Sequence, residues 1–555
     1  MTQITIGSQS QRDSSRCDRN WHRVLAIGFS LFGACAAESH TAEDEVLAQT
    51  GNLIAVPDGS VRGSTARGTR SFIGIPYAAA PVGALRWKPP MLAETWSGTF
   101  DATGPGVACF QSDSESTVEQ SEDCLRLNVF APEKQSEQLL PVLVWLHGGD
   151  NVRGSANDLQ PFIGARLYDG ASLREYAKTE VVVVTVNYRL GALGFIAHEG
   201  LTAETGTSGN YGLMDQQAAL FWVQRSIRAF GGDPSRVTLF GQGTGATDAC
   251  YQLVARDADD LVHAAVLESG SCSQAVLAEL PLAQSRGAAF ARELGCDRDQ
   301  IAETLACLRA KPAGELASSA ELMQTGGGMP ATGALAIVDG QFIREQPKAA
   351  FAAGRFEQVP MIVGTNAREG SYFMREHEQL DSGDAYRAWL TTAFGSIQAG
   401  PIAAEYSVAD SNPHEVATQL ITDAFFTCPA QGFADLASAH ADVYRYAFER
   451  AAYIAPLEGL GATHSAELLW VWDVWPRVSP YAGDDVGLSQ TIAGYWSRLV
   501  DGDPNGKYSP EWPRYEPTAR QELVLDIEIS TRQQRDARCE FWQKLRSGET
   551  PEATR

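Results

Sequence analysis

The sequence predicts an α/β fold built on a mostly parallel, doubly wound central sheet, with antiparallel hairpins at its N-terminal side and covering helices. Three observations predict it. The near-continuous apolar runs PVLVWLHGG (Pro141 to Gly149) and EVVVVTVNYRLG (Glu180 to Gly191) read as strands covered on both faces. Further runs, RVTLF, AAVLESGS, VPMIVGTN, DVYRYAFER and ELVLDIEI, alternate with stretches of helical character, as crossover connections require. Ahead of them, VLAQTGNLIAVPDGSVRG and TRSFIGIPYA alternate in the strand manner and are broken by Pro-Asp-Gly and Gly turns, which gives the hairpins.

Taken in order, the chain begins with Arg12, Arg16, Arg19 and Arg23 before the apolar run VLAIGFSLFGA (Val24 to Ala34). That run is too short to span a bilayer and fits a secretory signal, so residues 1–35 are read as a signal peptide. LFGAC ends at Cys35 in the manner of a bacterial lipoprotein cleavage box, with Phe32 where such boxes prefer Leu. Simple cleavage within ACAAES is the alternative, because Ala34 and Ala36 supply an A-x-A pattern. Either route predicts export: an outer-membrane lipoprotein, since Ala36 follows Cys35, or a periplasmic or extracellular protein.

Residues 36–545 show no internal repeat or domain boundary and are read as one domain. Within it, DSESTVEQSED (Asp113 to Asp123) is an acidic surface loop and QTGGGMPATG (Gln324 to Gly333) a mobile loop. Between Tyr211 and Phe230, Leu220, Val223 and Ile227 recur at helical spacing, and Gly231-Gly232 followed by Asp233-Pro234 closes the helix. The strand RVTLF comes next, and a helical stretch follows Gly245. The tail from 546 to 555 is expected to fray.

The 555 residues carry a net charge of -24, which argues against nucleic acid or an anionic membrane as partner; it would attract cationic ligands, but the reading preferred here is that the acidity serves solubility. Membrane attachment would come only through a lipid at Cys35. Setting aside Cys17 and Cys35, eight of the ten cysteines remain, an even number suited to disulfides in an oxidising compartment. Short loops nominate Cys109 with Cys124 and Cys296 with Cys307; Cys250, Cys272, Cys428 and Cys539 remain.

A set of motifs, in order, carries a family resemblance: FIGIPYAAAPVGALRWKPP, SEDCLRLNVFAP, VLVWLHGG, VNYRLGALGF, GNYGLMDQQAALFWVQRSIRAFGGDPSRVTLFG, VDGQF, GTNAREGSYF and GATHSAELLWVW. From about Val46 to the CEFW at Cys539 the chain resembles the type B carboxylesterase and cholinesterase group of α/β-hydrolases. The resemblance implies the α/β-hydrolase fold and no cofactor. It also implies bridges Cys109–Cys124, Cys296–Cys307 and Cys428–Cys539, with Cys250 and Cys272 as an additional candidate, and a structural ion pair between Arg86 and Glu122.

In that family a serine attacks the ester carbonyl, a histidine takes its proton, and an acid orients the histidine. Glu369 and His464 match the acid and the histidine, in the order expected of such enzymes. The serine belongs at the third position of G-x-S-x-G, on a sharp turn between strand and helix. In VTLFGQGTG (Val237 to Gly245) that position is Gly243, which has nothing to attack with.

Neighbouring positions depart as well. Gln242 replaces the acidic residue usual before the serine, and the oxyanion loop reads Gly148-Gly149-Asp150, with Asp150 in place of a third glycine. A carboxylate there would oppose developing negative charge. Thr244 carries the nearest hydroxyl, but one step along the turn aims it elsewhere. Glycine suits the turn once no nucleophile is needed, and neuroligin-like adhesion relatives carry the same replacement. No spacing such as H-x-x-x-H supports a metal site from Asp150, Glu369 and His464.

The expected function is therefore an exported carboxylesterase-like protein that has lost hydrolysis. It would bind a small hydrophobic or ester-like ligand, or a protein partner. The alternative is an ester hydrolase with a residual or altered mechanism, in which His464, oriented by Glu369, activates water.

Overall fold

The computed structural model describes residues 52–112, 117–160, 165–176, 180–273, 276–319, 335–377, 379–454, 457–474, 483–506, 510–534 and 537–548. Eleven of the described strands form one sheet. In spatial order they are Ser530–Gln533, Gln521–Leu525, Val443–Phe448, Met361–Asn366, Ala264–Glu268, Gly232–Gln242, Leu140–Leu146, Val182–Val186, Arg126–Pro132, Thr69–Pro76 and Ser64–Ala66. From Gln521–Leu525 through Val182–Val186 every neighbouring pair is parallel. The two ends are antiparallel: Ser530–Gln533 folds back on Gln521–Leu525, and Arg126–Pro132, Thr69–Pro76 and Ser64–Ala66 continue the other edge.

The apolar runs are unbroken because both faces of the sheet are buried. Val142, Val144 and Leu146 point to one side with Val184, Leu239, Leu267 and Val363, where Leu220, Val223 and Ile227 pack on them. Leu143 and Trp145 point to the other with Val183, Phe240, Val266 and Ile362, against Trp472, Leu488 and Trp496. A regularly alternating polar face would be stranded without water, so the runs are mainly apolar, with single buried exceptions such as Thr185, Thr238 and Arg445. The predicted helix is present as Tyr211–Ser226 and tightens into a short 3-10 turn, Ile227–Phe230, before Gly231.

The first hairpin also forms, Leu53–Val56 pairing antiparallel with Gly59–Arg62 across Pro57-Asp58. Arg86 and Glu122 pair at 2.7 and 2.6 Å, and Arg86 also donates to the carbonyls of Arg309 and Lys311. All three disulfides implied by the resemblance are formed, and Cys250 joins Cys272 as a fourth, with α-carbons 5.7 Å apart.

The described residues belong to one unit, Gln49–Arg555. Residues 1–35, Cys35 and the loop 324–333 lie outside the described residues. The boundary expected for the tail shifts: the last helix, Ala537–Ser547, runs past residue 546, held by Arg546 Nη2 donating to the carbonyl of Ala424. Among the described residues no helix is long and apolar enough to cross a membrane.

Candidate functional site

Four adjacent parallel strands end together, and each delivers a residue to one place. Leu140–Leu146 leads into His147-Gly148-Gly149-Asp150, Gly232–Gln242 ends at the Gly243 turn, Ala264–Glu268 leads into Ser269, and Met361–Asn366 leads into Glu369. The carboxyl end of a parallel sheet is where such folds gather ligand-binding loops.

The strand reaching Gln242 turns at once into the helix Thr244–Gln252, and only small residues allow it. A β-carbon on Gly245 would stand 2.1 Å from the Leu146 carbonyl oxygen, and one on Gly241 2.5 Å from Gly245 backbone. Gly243 differs. Its φ of 58° and ψ of -121° favour glycine, yet a β-carbon there would meet only His464 Nε2 at 3.4 Å and Cε1 at 3.7 Å. The position is strained for a side chain but open, and it faces the imidazole.

His464 comes from a loop 95 residues beyond Glu369, and its Nδ1 donates to Glu369 Oε2 at 2.6 Å. Glu369 is fully buried, whereas His464 keeps 15% of its side chain exposed, so the imidazole is reachable. The other carboxylate oxygen of Glu369 accepts from Ser269 Oγ at 2.5 Å and from the Asn366 backbone N–H at 2.8 Å. With the proton held on Nδ1, Nε2 is left as an acceptor, and the Gln242 amide occupies it at 3.2 Å. Burial opposes charge on the ring, but Glu369, joined by Glu467 and Asp150, outweighs it, and the His464 pKa is raised.

Gly148, Gly149 and Asp150 run past the same turn. Asp150 adopts φ 58°, and its backbone N–H donates to Thr244 Oγ1 at 3.0 Å. The Thr244 hydroxyl in turn points at Asp150 Oδ1 at 3.3 Å, so it is committed to this loop rather than to His464. Burial raises the Asp150 pKa, against the lowering influence of Arg153, His464 and the Thr244 hydrogen bond. His147, stacked on Tyr188 at 4.4 Å, is fully buried and its pKa falls to about 4, which keeps it neutral.

The structure thus brings together Gly243, Glu369, His464, Gly148, Gly149, Asp150 and Thr244, all nominated from sequence. It adds four contributors that sequence reasoning missed in this role. Gln242 was noted only as a departure, and Ser269, Asn366 and Glu467 not at all. Asn366 Nδ2 bonds both the Thr463 carbonyl, at 2.7 Å, and Glu467, tying the Glu369 and His464 loops together. For Ser269 the sequence offers only its place directly after a buried strand; the φ of 54°, the sort of strained strand end that collects at sites, is visible in the structure alone. Among the described residues no group of three or more His, Cys, Asp or Glu side chains is arranged to hold a metal ion.

Comparison with known proteins shows the family to which the chain belongs. A profile described as "Carboxylesterase family" matches residues 50–542. The para-nitrobenzyl esterase of Bacillus subtilis (strain 168) is 35% identical over 517 residues, covering 89% of this chain and 99% of that protein. The cocaine esterase of Oryctolagus cuniculus is 31% identical over 527 residues, covering 87% and 94%. The acylcarnitine hydrolase of Mus musculus is 32% identical over 531 residues, covering 89% of each. A matched profile over nearly the whole described chain, on a mostly parallel sheet with Glu369 and His464 at its carboxyl edge, means that this protein belongs to the carboxylesterase family and has its α/β-hydrolase fold.

Proposed function

We propose that this protein is an exported member of the family that no longer hydrolyses esters and uses the former active site, or the surface around it, for binding. One observation carries the reading: the position whose side chain would face His464 Nε2, its β-carbon 3.4 Å away, is Gly243, which has no nucleophile. Two further features support it. The Asp150 N–H, which would otherwise be available to an oxyanion, is already engaged by Thr244, and a carboxylate stands beside it. The loss of even one such donor costs about 2.7 to 4 kcal/mol of transition-state stabilisation. The acceptor nitrogen of His464 is itself capped by Gln242.

A serine-directed fluorophosphonate probe tests the reading. The folded protein should remain unlabelled, and labelling at Thr244 or any serine of the site would overturn it. The surviving His464–Glu369 bond at 2.6 Å favours one second reading, in which His464 acts as general base on water. Ester hydrolysis by the unmodified protein that disappears in His464→Ala would select that reading.

Export rests on the N-terminal arginines and apolar run, and the four disulfides fit an oxidising compartment. For the lipid anchor at Cys35 the test is palmitate labelling, expected in the full chain and absent in Cys35→Ser. A processed, unlabelled, soluble product would leave export standing and remove the anchor.

A further inference from the structure

A polar pocket of about 410 Å³ lies against one face of the sheet near its edge, away from the Gly243 turn. Thr365 and Ala447, paired across adjacent strands, form its floor and share the face of Val363 and Val443. Glu522, with Arg532 opposite it on the last two strands, and Glu449 supply one wall. Another comes from the helix Pro413–Thr422 and the π-helical turn that continues it, Asp423–Thr427, through Gln419, Asp423 and Thr427. The loop of His464 packs on the opposite face of the sheet, where Ala462 and Ala466 join the layer of Trp145 and Trp472. Gly243, Asp150, Glu369 and His464 are not among the described lining residues; the pocket touches that site only through Asn366, whose backbone N–H donates to Glu369.

The charges around this pocket are already paired. Glu522 accepts from Arg532 Nε at 2.8 Å and from Arg445 Nη2 at 3.4 Å, and Glu449 accepts from Arg532 Nη1. Asp423 accepts from Gln419 at 2.7 Å, from the Tyr406 hydroxyl at 2.8 Å and from Arg538 at 3.3 Å. A charged ligand would have to break such a pair and strand one partner, a cost that a neutral ligand avoids. Arg445 keeps Nε and Nη1 unpartnered, but Glu522 and Gln534, which line the pocket, stand at its remaining nitrogen.

What the pocket leaves open is neutral. Thr365 is only 3% exposed, yet its hydroxyl has no hydrogen-bond partner among the described residues, and neither have the Thr427 hydroxyl and the Gln533 amide. Hydroxyls and amides both donate and accept, so their complement is a ligand dense in groups that do the same. The described lining holds no aromatic ring and no apolar side chain larger than alanine, which leaves an apolar ligand little to bury against.

We propose that this pocket binds a small uncharged polyhydroxyl compound of monosaccharide size, held by Thr365, Thr427 and Gln533, with the paired carboxylates accepting further hydroxyls. A volume of about 410 Å³ falls within the range of small-molecule sites. The inference does not depend on whether Gly243 has ended hydrolysis.

Glucose, glucosamine and glucuronate have nearly the same shape and differ in charge, so they test it when titrated into the purified protein at about pH 6 by calorimetry or saturation-transfer NMR. Glucose is expected to bind at least about threefold more tightly than either charged analogue. Ala447→Leu raises the floor into the pocket and should abolish glucose binding, and Thr365→Val, which keeps shape and removes the hydroxyl, should weaken it about threefold to tenfold. No glucose binding at about 50 mM, equal binding of the three sugars, or undiminished glucose binding in either variant would overturn the proposal. Tighter binding of glucuronate would also overturn it and assign the pocket to an anion held by Arg532 and Arg445; tighter binding of glucosamine would do the same in favour of a cation. Should Ala447→Leu fail to fold, Thr365→Val and the ranking of the three sugars decide.

Discussion

Replacing Gly243 by serine puts a hydroxyl back in front of His464, and the structure fixes both the cost and the limited return. A β-carbon at this position has no neighbour within 4 Å other than His464 Nε2 and Cε1, so no backbone has to move. The cost is conformational: φ 58° and ψ -121° are sparsely populated for a residue with a side chain, worth about 1 to 3 kcal/mol. The return is limited by two engaged groups. The serine hydroxyl has to displace the Gln242 amide from His464 Nε2, at 3.2 Å, and it finds the Asp150 N–H donating to Thr244 Oγ1 at 3.0 Å. A missing oxyanion donor lowers turnover by about 10²- to 10³-fold. Gly243→Ser should therefore be less stable by about 1 to 3 kcal/mol in denaturant melts. Its hydrolysis of p-nitrophenyl acetate should be about 10²- to 10³-fold slower than that of Gly243→Ser/Asp150→Gly/Thr244→Ala, after subtraction of the rate in His464→Ala. If the single variant matches the triple one, Asp150 and Thr244 do not obstruct the site and the reasoning is refuted.

Other expectations follow from the same geometry. Gly245→Ala places a β-carbon 2.1 Å from the Leu146 carbonyl oxygen and should abolish folding or cost more than about 3 kcal/mol, whereas a melting curve like that of Gly243→Ala would contradict the elbow packing. Because the folded pKa of His464 is raised, the stability it contributes is complete below the unfolded value near 6.5 and is lost as pH rises through the folded value. Glu369→Gln should consequently cost more at about pH 5.5 than at about pH 9, and equal costs would remove Glu369 as the cause. Arg86→Ala leaves Glu122 and the carbonyls of Arg309 and Lys311 without their donor and should destabilise by about 3 to 5 kcal/mol; a loss below about 1 kcal/mol would make the pair a surface contact in energetic terms. Cys428→Ser opens the bridge that spans 111 residues and should cost about 2 to 5 kcal/mol, read from melts under non-reducing conditions.

Most of the fold was legible because burial on both faces of a sheet leaves a mark that needs no partner to read. Leu143 and Val144 had to be apolar for opposite reasons, one facing Trp145's layer and the other facing the helix of Leu220 and Val223, and the run PVLVWL records both. Glu369, His464 and Gly243 were legible through motif order. The contacts that decide their chemistry were not. Gln242 and His464 are 222 residues apart and meet only because a strand end and a distant loop converge. Asp150 and Thr244 are separated by 94 residues, and nothing local tells that the hydroxyl would take the N–H of the oxyanion loop. The Cys250–Cys272 bridge likewise depends on a 5.7 Å approach of two α-carbons that spacing cannot supply. At the C-terminus composition misled: RSGETPEATR reads as polar tail throughout, yet its first residues complete a helix anchored by Arg546.

The central claim is that a glycine facing the imidazole, with Asp150 and Gln242 beside it, has ended ester hydrolysis in a carboxylesterase fold. It is tested most directly by initial rates of p-nitrophenyl acetate hydrolysis with the purified, unmodified protein and with His464→Ala, side by side across about pH 6 to 9. The account predicts the same slow background from both at every pH. Rapid, saturable turnover by the unmodified protein, abolished in His464→Ala and rising with pH as the imidazole loses its proton, would contradict it.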